Sequence, residues 1–166
     1  EELRHAVGEI GDLTPHLVSA ERVSVLALGR PHGDSPDEAA LSAVLRSLER
    51  SHDMVVVDLG DGARLAELGR RAVPLLMVGA DVRSVAAARM RARRIDLTGA
   101  LLVVRVGKGR GLPPEAVSDA LGLPLAGVVR DDPRVPRLAA QGASVGSRPA
   151  ARLRRDSTRL LKEVCL

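Results

Sequence analysis

The sequence predicts an α/β fold, in which helices cover both faces of a mostly parallel sheet to make a three-layer α/β/α sandwich. Five short apolar runs are continuous rather than alternating, which is typical of strands buried on both faces. Helical stretches separate most of these runs, and strands that alternate with helices indicate βαβ units with right-handed crossovers. The predicted strands are Val23–Leu28, Met54–Asp58, Leu75–Gly79, Ala100–Val106 and Leu125–Val129.

The first predicted helix begins at Ser35–Glu38, where a serine cap, a proline in the first turn and two acidic residues come together. These residues are the usual signals of a helix N-terminus. Its expected apolar stripe consists of Leu41, Val44, Leu45 and Leu48. The other predicted helices are Ala63–Ala72, Val82–Arg94, Pro113–Leu121, Pro136–Gln141 and Ala151–Val164. We expect one domain over residues 1–166, with a C-terminal basic helix in residues 148–166.

The composition excludes several classes of protein. The 166 residues include no Phe, Tyr or Trp, so no aromatic ring can stack on a base, and nucleic acid is not an expected partner. The single cysteine, Cys165, permits neither an internal disulfide nor a cysteine-cluster metal site, which favours a reducing cytoplasm. Since the first residue is Glu1 rather than Met, we expect the chain to be part of a longer protein.

The net charge of +4 is unevenly distributed, with +6 in residues 81–110 and +4 in residues 148–166. A basic helix at the C-terminus could bind an anionic membrane surface or a protein partner. It could equally pack on the sheet, and its four aliphatic residues without an aromatic one favour packing. The candidate surface residues on this helix are Arg152, Arg155, Arg159 and Lys162.

The sharpest local motif is the run from Val55 to Gly62, in which Asp58 ends a predicted strand and a glycine-rich turn follows. An acid at the carboxyl end of a buried strand lies where α/β proteins bind ligands. In P-loop proteins such an acid holds a Mg²⁺-bound water. The alternative is an aspartate that only caps its own turn, and the local pattern favours this alternative.

The run Gly107–Gly111 does not have the order of residues that a phosphate-binding loop needs. Its lysine precedes the required glycine spacing, no Ser or Thr follows, and Pro113–Pro114 interrupts the approach to the next helix. We therefore expect a flexible, basic connection. The sequence contains no dinucleotide fingerprint and no histidines at the spacing of metal ligands.

Two segments carry a resemblance to a known family. His52–Asp58 is the first, and the second reads D-A-L-G-L-P-L-A-G over Asp119–Gly127, with Asp132–Pro133 and Gln141–Gly142 downstream. On these motifs the chain resembles the second part of the MinD/ParA superfamily of P-loop NTPases. More narrowly, it is similar to the CpaE/TadZ branch and the septum site-determining proteins within it. The resemblance covers about residues 23–142.

The resemblance implies roles for six residues. Asp58 would act on Mg²⁺ through water, and Gly60 stands where active members have the proline of a D-x-P turn. Arg105 stands where an asparagine often reads adenine. Asp131, Asp132 and Pro133 would belong to the loop that closes over the adenine. The implied cofactors are ATP and Mg²⁺, with weak or lost binding because two positions depart from the pattern. The Walker A strand and loop of this fold would lie upstream of Glu1.

The function that the resemblance implies is spatial regulation of septum placement in cell division, or of a pilus or secretion apparatus. Such a protein would act through division or secretion partners and as a homodimer, in the cytoplasm or at the membrane surface of the septum or pole. Without the Walker A loop, this chain is not expected to act as an enzyme by itself. The first alternative is the rear portion of an active ATPase of the superfamily. The second is a receiver-like α/β module, for which the partner acids and lysine are missing.

Overall fold

The computed structural model describes residues 10–20, 23–27, 37–60, 68, 72–143 and 150–165. They fall into two compact units, Glu1–Gly69 and Arg70–Leu166, and each unit is considered by itself. The organisation as one domain stays a prediction. No helix in the described residues is both long and apolar enough to cross a bilayer.

The first unit contains a 3-10 helix, Thr14–His16, and a two-stranded sheet of β1 (Val18–Ala20) and β2 (Val23–Val25). The prediction of a buried parallel strand from Val23 to Leu28 is wrong. The observed strand ends at Val25 and pairs antiparallel with β1, while Leu28 lies outside the described residues. Val23 and Val25 are 61% and 52% exposed, so apolar sequence did not lead to burial. A strand close in sequence pairs at little loop-closure cost.

Helix α1 (Glu38–Ser51) follows in the first unit. Its cap is Asp37, whose Oδ1 accepts a hydrogen bond from the Ala40 amide at 2.7 Å. Asp37 therefore replaces the predicted cap Ser35, which lies outside the described residues. The buried side of α1 differs from the predicted apolar stripe. Of the four predicted residues only Val44 is buried, and the smaller side chains of Ala40, Ala43 and Ser47 are buried beside it.

The segment Met54–Asp58 is not a strand, which corrects the prediction. Exposure alternates along it, and Val56 is 82% exposed. A strand exists only where its backbone groups pair with a neighbour. No ladder partner for this segment is present within residues 10–60 as far as they are described.

The second unit is built on a parallel sheet with the order β3 (Leu75–Gly79), β4 (Leu101–Val106), β5 (Leu125–Arg130). These strands confirm three of the predicted runs to within one residue. Helix α2 (Val82–Ala92) connects β3 to β4, and α3 (Pro114–Leu121) connects β4 to β5. Two further helices follow, α4 (Val135–Ala140) and α5 (Ala151–Val164). The predicted helix Ala63–Ala72 lies almost wholly outside the described residues.

The sheet separates two layers of helices, as the sequence predicts. On one face, α2 and α3 bury Val85 and Val117 against Leu102 and Val104 of the central strand. The opposite face carries Gly127, and a Cβ at that position would meet Leu160 Cδ1 of α5 at 3.3 Å. Continuous apolar runs suit the strands that helices cover on both faces. On β3 one face is left open, since Leu75 is 44% and Met77 is 59% exposed.

The parallel strands end at one edge of the sheet, and backbone hydrogen bonds hold these ends in register. The Ala80 amide donates to the Arg105 carbonyl at 2.9 Å, and the Asp131 amide donates to the Val106 carbonyl at 2.8 Å. The Leu112 amide donates to the Ala80 carbonyl at 3.0 Å, which ties the loop after β4 to the end of β3. Side chains that follow the three strands therefore converge.

Candidate functional site

Five polar side chains meet at this carboxyl edge of the sheet, and we name them the edge cluster. One pair follows β3, one residue belongs to the end of β4, one lies in the loop after β4, and one follows β5. In open α/β sheets the carboxyl ends of the strands are the usual place for ligands. The members are Asp81, Ser84, Arg105, Arg110 and Asp131.

Asp131 is the centre of the edge cluster, because each of its carboxylate oxygens accepts from an arginine. Arg105 Nε donates to Oδ1 at 2.6 Å, and an Arg110 terminal nitrogen donates to Oδ2 at 2.5 Å. The hydrogen bond from Arg105, together with the charges of both arginines, lowers the pKa of Asp131 from its usual value. The Arg105 side chain remains 51% exposed, so the pair lies at the surface.

Arg110 links this pair to Asp81, the cap of α2. Arg110 Nε lies 3.6 Å from Asp81 Oδ2. Asp81 accepts from the Ser84 amide and the Ser84 hydroxyl, both at 2.8 Å. These two bonds, reinforced by the charge of Arg110, lower the pKa of Asp81. Arg110 Nε is buried and has no hydrogen-bond partner among the described residues.

Two glycines make the close contacts of the edge cluster sterically feasible. A Cβ at Gly107 would lie 2.6 Å from Asp131 Cγ, and a Cβ at Gly79 would lie 2.7 Å from Ser84 Oγ. Both distances are shorter than real side chains show, so a larger residue at either position would displace its neighbour. Sequence reasoning missed Gly79 as a site residue, and the only signal was a glycine at the end of a buried strand.

The Gly107–Gly111 run forms a compact turn rather than a loop that leads directly into a helix. The Arg110 amide donates to the Gly107 carbonyl at 3.0 Å, and Gly109 has a φ of +76°. The next helix begins at Pro114. The turn places Arg110 beside Asp131 and Asp81, which gives the run a role that its sequence did not reveal.

Asp58 and Gly60 form a turn within the first unit. Asp58 Oδ1 accepts from the Gly60 amide at 2.9 Å, and Gly60 has a φ of +58°. This is the geometry of an aspartate that caps its own turn. Proline could not replace Gly60, because its ring fixes φ near −65° and it has no amide proton. The described residues contain no group of three or more His, Cys, Asp or Glu side chains placed to hold a metal ion.

Asp132 and Pro133 follow Asp131 directly and lead into α4. Asp132 is 9% exposed, and its Oδ1 accepts from the Arg134 amide at 3.1 Å. Both residues line a small cavity of about 260 Å³ together with Arg134, Ala151 and Arg152. The structure therefore brings Arg105 and Asp131 into contact and places Asp132 and Pro133 in the adjoining loop.

Helix α5 is attached to the sheet by Asp156, a residue that sequence reasoning missed. Its carboxylate accepts from the Arg130 backbone amide at 3.0 Å and from two guanidinium nitrogens at 3.1 and 2.5 Å. These bonds lower the pKa of Asp156 and raise that of Arg130. The available signal was an acidic residue on the apolar face of the helix, between Leu153 and Leu160.

The predicted basic residues of α5 are all exposed, but two of them flank the side that faces the sheet. Arg159 lines a groove of about 360 Å³ with Asp156 and Leu160, and Arg152 lines the cavity beside Asp132. The helix thus packs on the sheet, and a role of these basic residues at a membrane or a partner stays a prediction. The exposed residues are Arg152, Arg155, Arg159 and Lys162.

Comparison with known proteins defines the fold. No family model matches the sequence, and no curated protein matches it significantly. Among solved structures, the chain is similar to the cell division ATPase MinD of Pyrococcus furiosus, with a TM-score of 0.52 and 19% identity. The match covers 78% of this chain, and this chain spans 58% of the length of that one. A likeness at this level of identity establishes a MinD-like α/β fold, and the CpaE/TadZ branch stays a prediction.

Proposed function

We propose that the chain belongs to a MinD/ParA-like spatial regulator of the CpaE or septum site-determining type. It would place the division septum, or a pilus or secretion apparatus, through partner binding and homodimerisation, with weak or lost ATPase activity. One observation carries the proposal: Arg105 and Asp131, two positions that the resemblance assigns to adenine recognition, are paired with each other at 2.6 Å. The MinD-like fold supports the superfamily part of it.

The chemistry of Arg105 is unsuited to reading adenine. Adenine presents an amino donor beside a ring-nitrogen acceptor, and an asparagine amide can match both. A guanidinium offers only donors, so it cannot accept from the amino group. Arg105 also donates to Asp131, so a base would have to displace a charge-assisted hydrogen bond.

Asp58 offers an incomplete site for Mg²⁺. Mg²⁺ demands near-octahedral oxygen ligands and is usually held by carboxylates together with substrate phosphates. One oxygen of Asp58 already accepts from the Gly60 amide. The described residues supply no group of three or more candidate ligands, so a Mg²⁺ at Asp58 would depend on phosphates and water for its remaining ligands. This dependence supports weak nucleotide chemistry.

The competing function is that of an active ATPase, of which this chain would supply only part. It is favoured by one finding, since the solved structure that the chain resembles is described as a cell division ATPase. The two functions differ in whether ATP is bound and hydrolysed, so nucleotide chemistry discriminates between them.

The test is ATP titration by calorimetry together with a phosphate-release assay on the natural full-length protein, including any residues that precede Glu1, with and without Mg²⁺. We expect no Mg²⁺-dependent turnover and no saturation at millimolar ATP. The proposal would be overturned by ATP turnover that is abolished in Asp58→Ala and retained in the control Asp53→Ala, a substitution at an exposed position. In addition, Arg105→Asn should strengthen ATP binding relative to the parent chain. Unchanged binding would show that Arg105 is not what excludes adenine.

A further inference from the structure

The outer face of α2 carries an apolar ridge that the fold does not use. Val82, Ala86 and Met90 recur every four residues, so they line one side of the helix. Val82 is 73% exposed and Met90 is 55% exposed. We name these three residues the α2 ridge. Exposed apolar residues that lie singly are ordinary, but a continuous ridge marks an interaction surface.

The packing of α2 does not depend on this ridge. Its inner side buries Val85 and Ala88 in the core shared with β3 and α3. The helix therefore has two apolar sides. One is covered by the core, while the other faces outward in the described part of the chain.

Arginines border the ridge. No acidic residue occurs within Val82–Ala92, and no ion pair engages the four bordering guanidinium groups among the described residues. From helical geometry, Arg89 lies on one flank of the ridge and Arg83 lies on the other. Arg93 and Arg94 follow the last turn of the helix, just past Met90. The surface is an apolar centre within a positive rim.

Helix α5 gives a useful contrast, because its outer face is also basic but lacks a ridge. Its apolar side chains Leu153, Leu160 and Val164 are partly covered on the side that faces the sheet. Leu161 is exposed by itself beside charged residues. The two helices thus share positive charge, and only α2 combines it with an outward apolar stripe.

From this surface we infer that α2 docks an acidic amphipathic helix of a protein partner. Apolar residues of that helix would cover the α2 ridge, and its carboxylates would pair with the arginine rim, as in other helix-groove contacts. The ridge spans nine residues, whose eight steps of 1.5 Å give about 12 Å, which fits a partner helix of two to three turns. Ala86 and the neighbouring Ala87 are small and exposed, so the partner backbone can approach closely.

The ridge also distinguishes a protein partner from other anionic partners. Nucleic acid binds chiefly through phosphate contacts and would gain little from an apolar ridge. Helices that lie in anionic membranes usually insert Trp or Phe, and this chain has no aromatic residue. The inference deepens the proposed function and rests on it for its biological meaning, because it names the surface and the chemistry of a regulator's partner.

The test is fluorescence anisotropy of the full chain with a designed helical peptide that carries leucine every four residues and glutamate between. A scrambled peptide of the same composition is the first control. Met90→Ser and the double variant Arg89→Glu/Arg93→Glu should each weaken binding at least tenfold. The matched charge change on α5, Arg155→Glu/Lys162→Glu, should alter it less than twofold. Circular dichroism checks that each variant folds.

Three outcomes would overturn the inference. The first is no binding, or equal binding of the scrambled peptide. The second is an equal loss in the α5 variant, which would mean that net charge alone attracts the peptide. The third is binding of duplex DNA or phosphatidylglycerol vesicles that competes with the peptide and is insensitive to Met90→Ser. ATP turnover in the separate nucleotide assay would contradict the proposed function while leaving the docking surface intact.

Discussion

Asp131 accepts hydrogen bonds from two arginines because Gly107 leaves room for its side chain. A Cβ at Gly107 would lie 2.6 Å from Asp131 Cγ and 2.8 Å from its Cβ. Because the position of Asp131 Cβ is fixed by its backbone, an added methyl group would force the β5 end or the turn after β4 to move. At the scale of single residues, the glycine is as important to the edge cluster as the charged groups are.

We therefore expect Gly107→Ala to lower the free energy of unfolding by about 2 kcal/mol, as overpacked sites do. Urea unfolding measures the loss. The control is Gly111→Ala in the same turn region, where an added Cβ would meet nothing within 4 Å, so its effect should stay within about 0.5 kcal/mol. Equal effects of the two substitutions would contradict the steric argument.

Helix α5 illustrates how an element is held by one buried charge. Asp156 is 3% exposed, and Arg130 supplies both its backbone amide and its guanidinium to the carboxylate. The four exposed basic residues of α5 contribute charge to the surface. Asp156, by contrast, determines where α5 is attached to β5.

The substitution Asp156→Asn should destabilise the second unit by about 2 kcal/mol, because a charged acceptor of three hydrogen bonds is lost. Amide hydrogen exchange should show α5 losing protection before β4 does. Asp119→Asn on the exposed side of α3 is the matched control and should leave stability and exchange nearly unchanged. If both variants behave alike, Asp156 does not attach the helix.

At the scale of the whole molecule, five aspartates among the described residues make stability depend on acid pH. The pKa values of Asp12, Asp81, Asp96, Asp131 and Asp156 are all lowered by hydrogen bonds in the folded state. A carboxyl with a lower pKa in the folded state binds fewer protons there than in the unfolded chain. Its stabilisation is complete above the unfolded pKa of about 4, and it is lost as the pH falls through the folded pKa.

The free energy of unfolding should therefore fall steadily when the pH is lowered from about 4 toward 2, the range in which these carboxylates take up protons. Urea unfolding at several pH values gives the curve. Asp156→Asn should make the fall shallower, since one of the five groups no longer titrates. A curve of the same steepness in parent and variant would mean that Asp156 does not contribute to it.

The resemblance to the MinD/ParA superfamily is a property of the whole molecule, because it depends on the order of strands and helices and not on any single contact. The strand–helix order from β3 to β5 follows from continuous Val and Leu runs separated by capped helices. The role of each polar residue could not be predicted from this order of elements. Arg105 and Asp131 were both selected as site residues, but their pairing with each other was not predicted.

The sequence alone determined the three parallel strands, α5 to the residue, and the end of α3 at Gly122, whose φ of +66° suits glycine. These features depend on local periodicity and on caps within a few residues. Only the tertiary structure decided that β2 pairs antiparallel, that Met54–Asp58 forms no strand, and that Arg105 meets Asp131. That last pair, like Arg130 with Asp156, is 26 residues apart in sequence. The first pair forms only when crossover connections bring parallel strand ends to one edge, and the second only when α5 packs on β5. Local sequence does not encode which charges then meet.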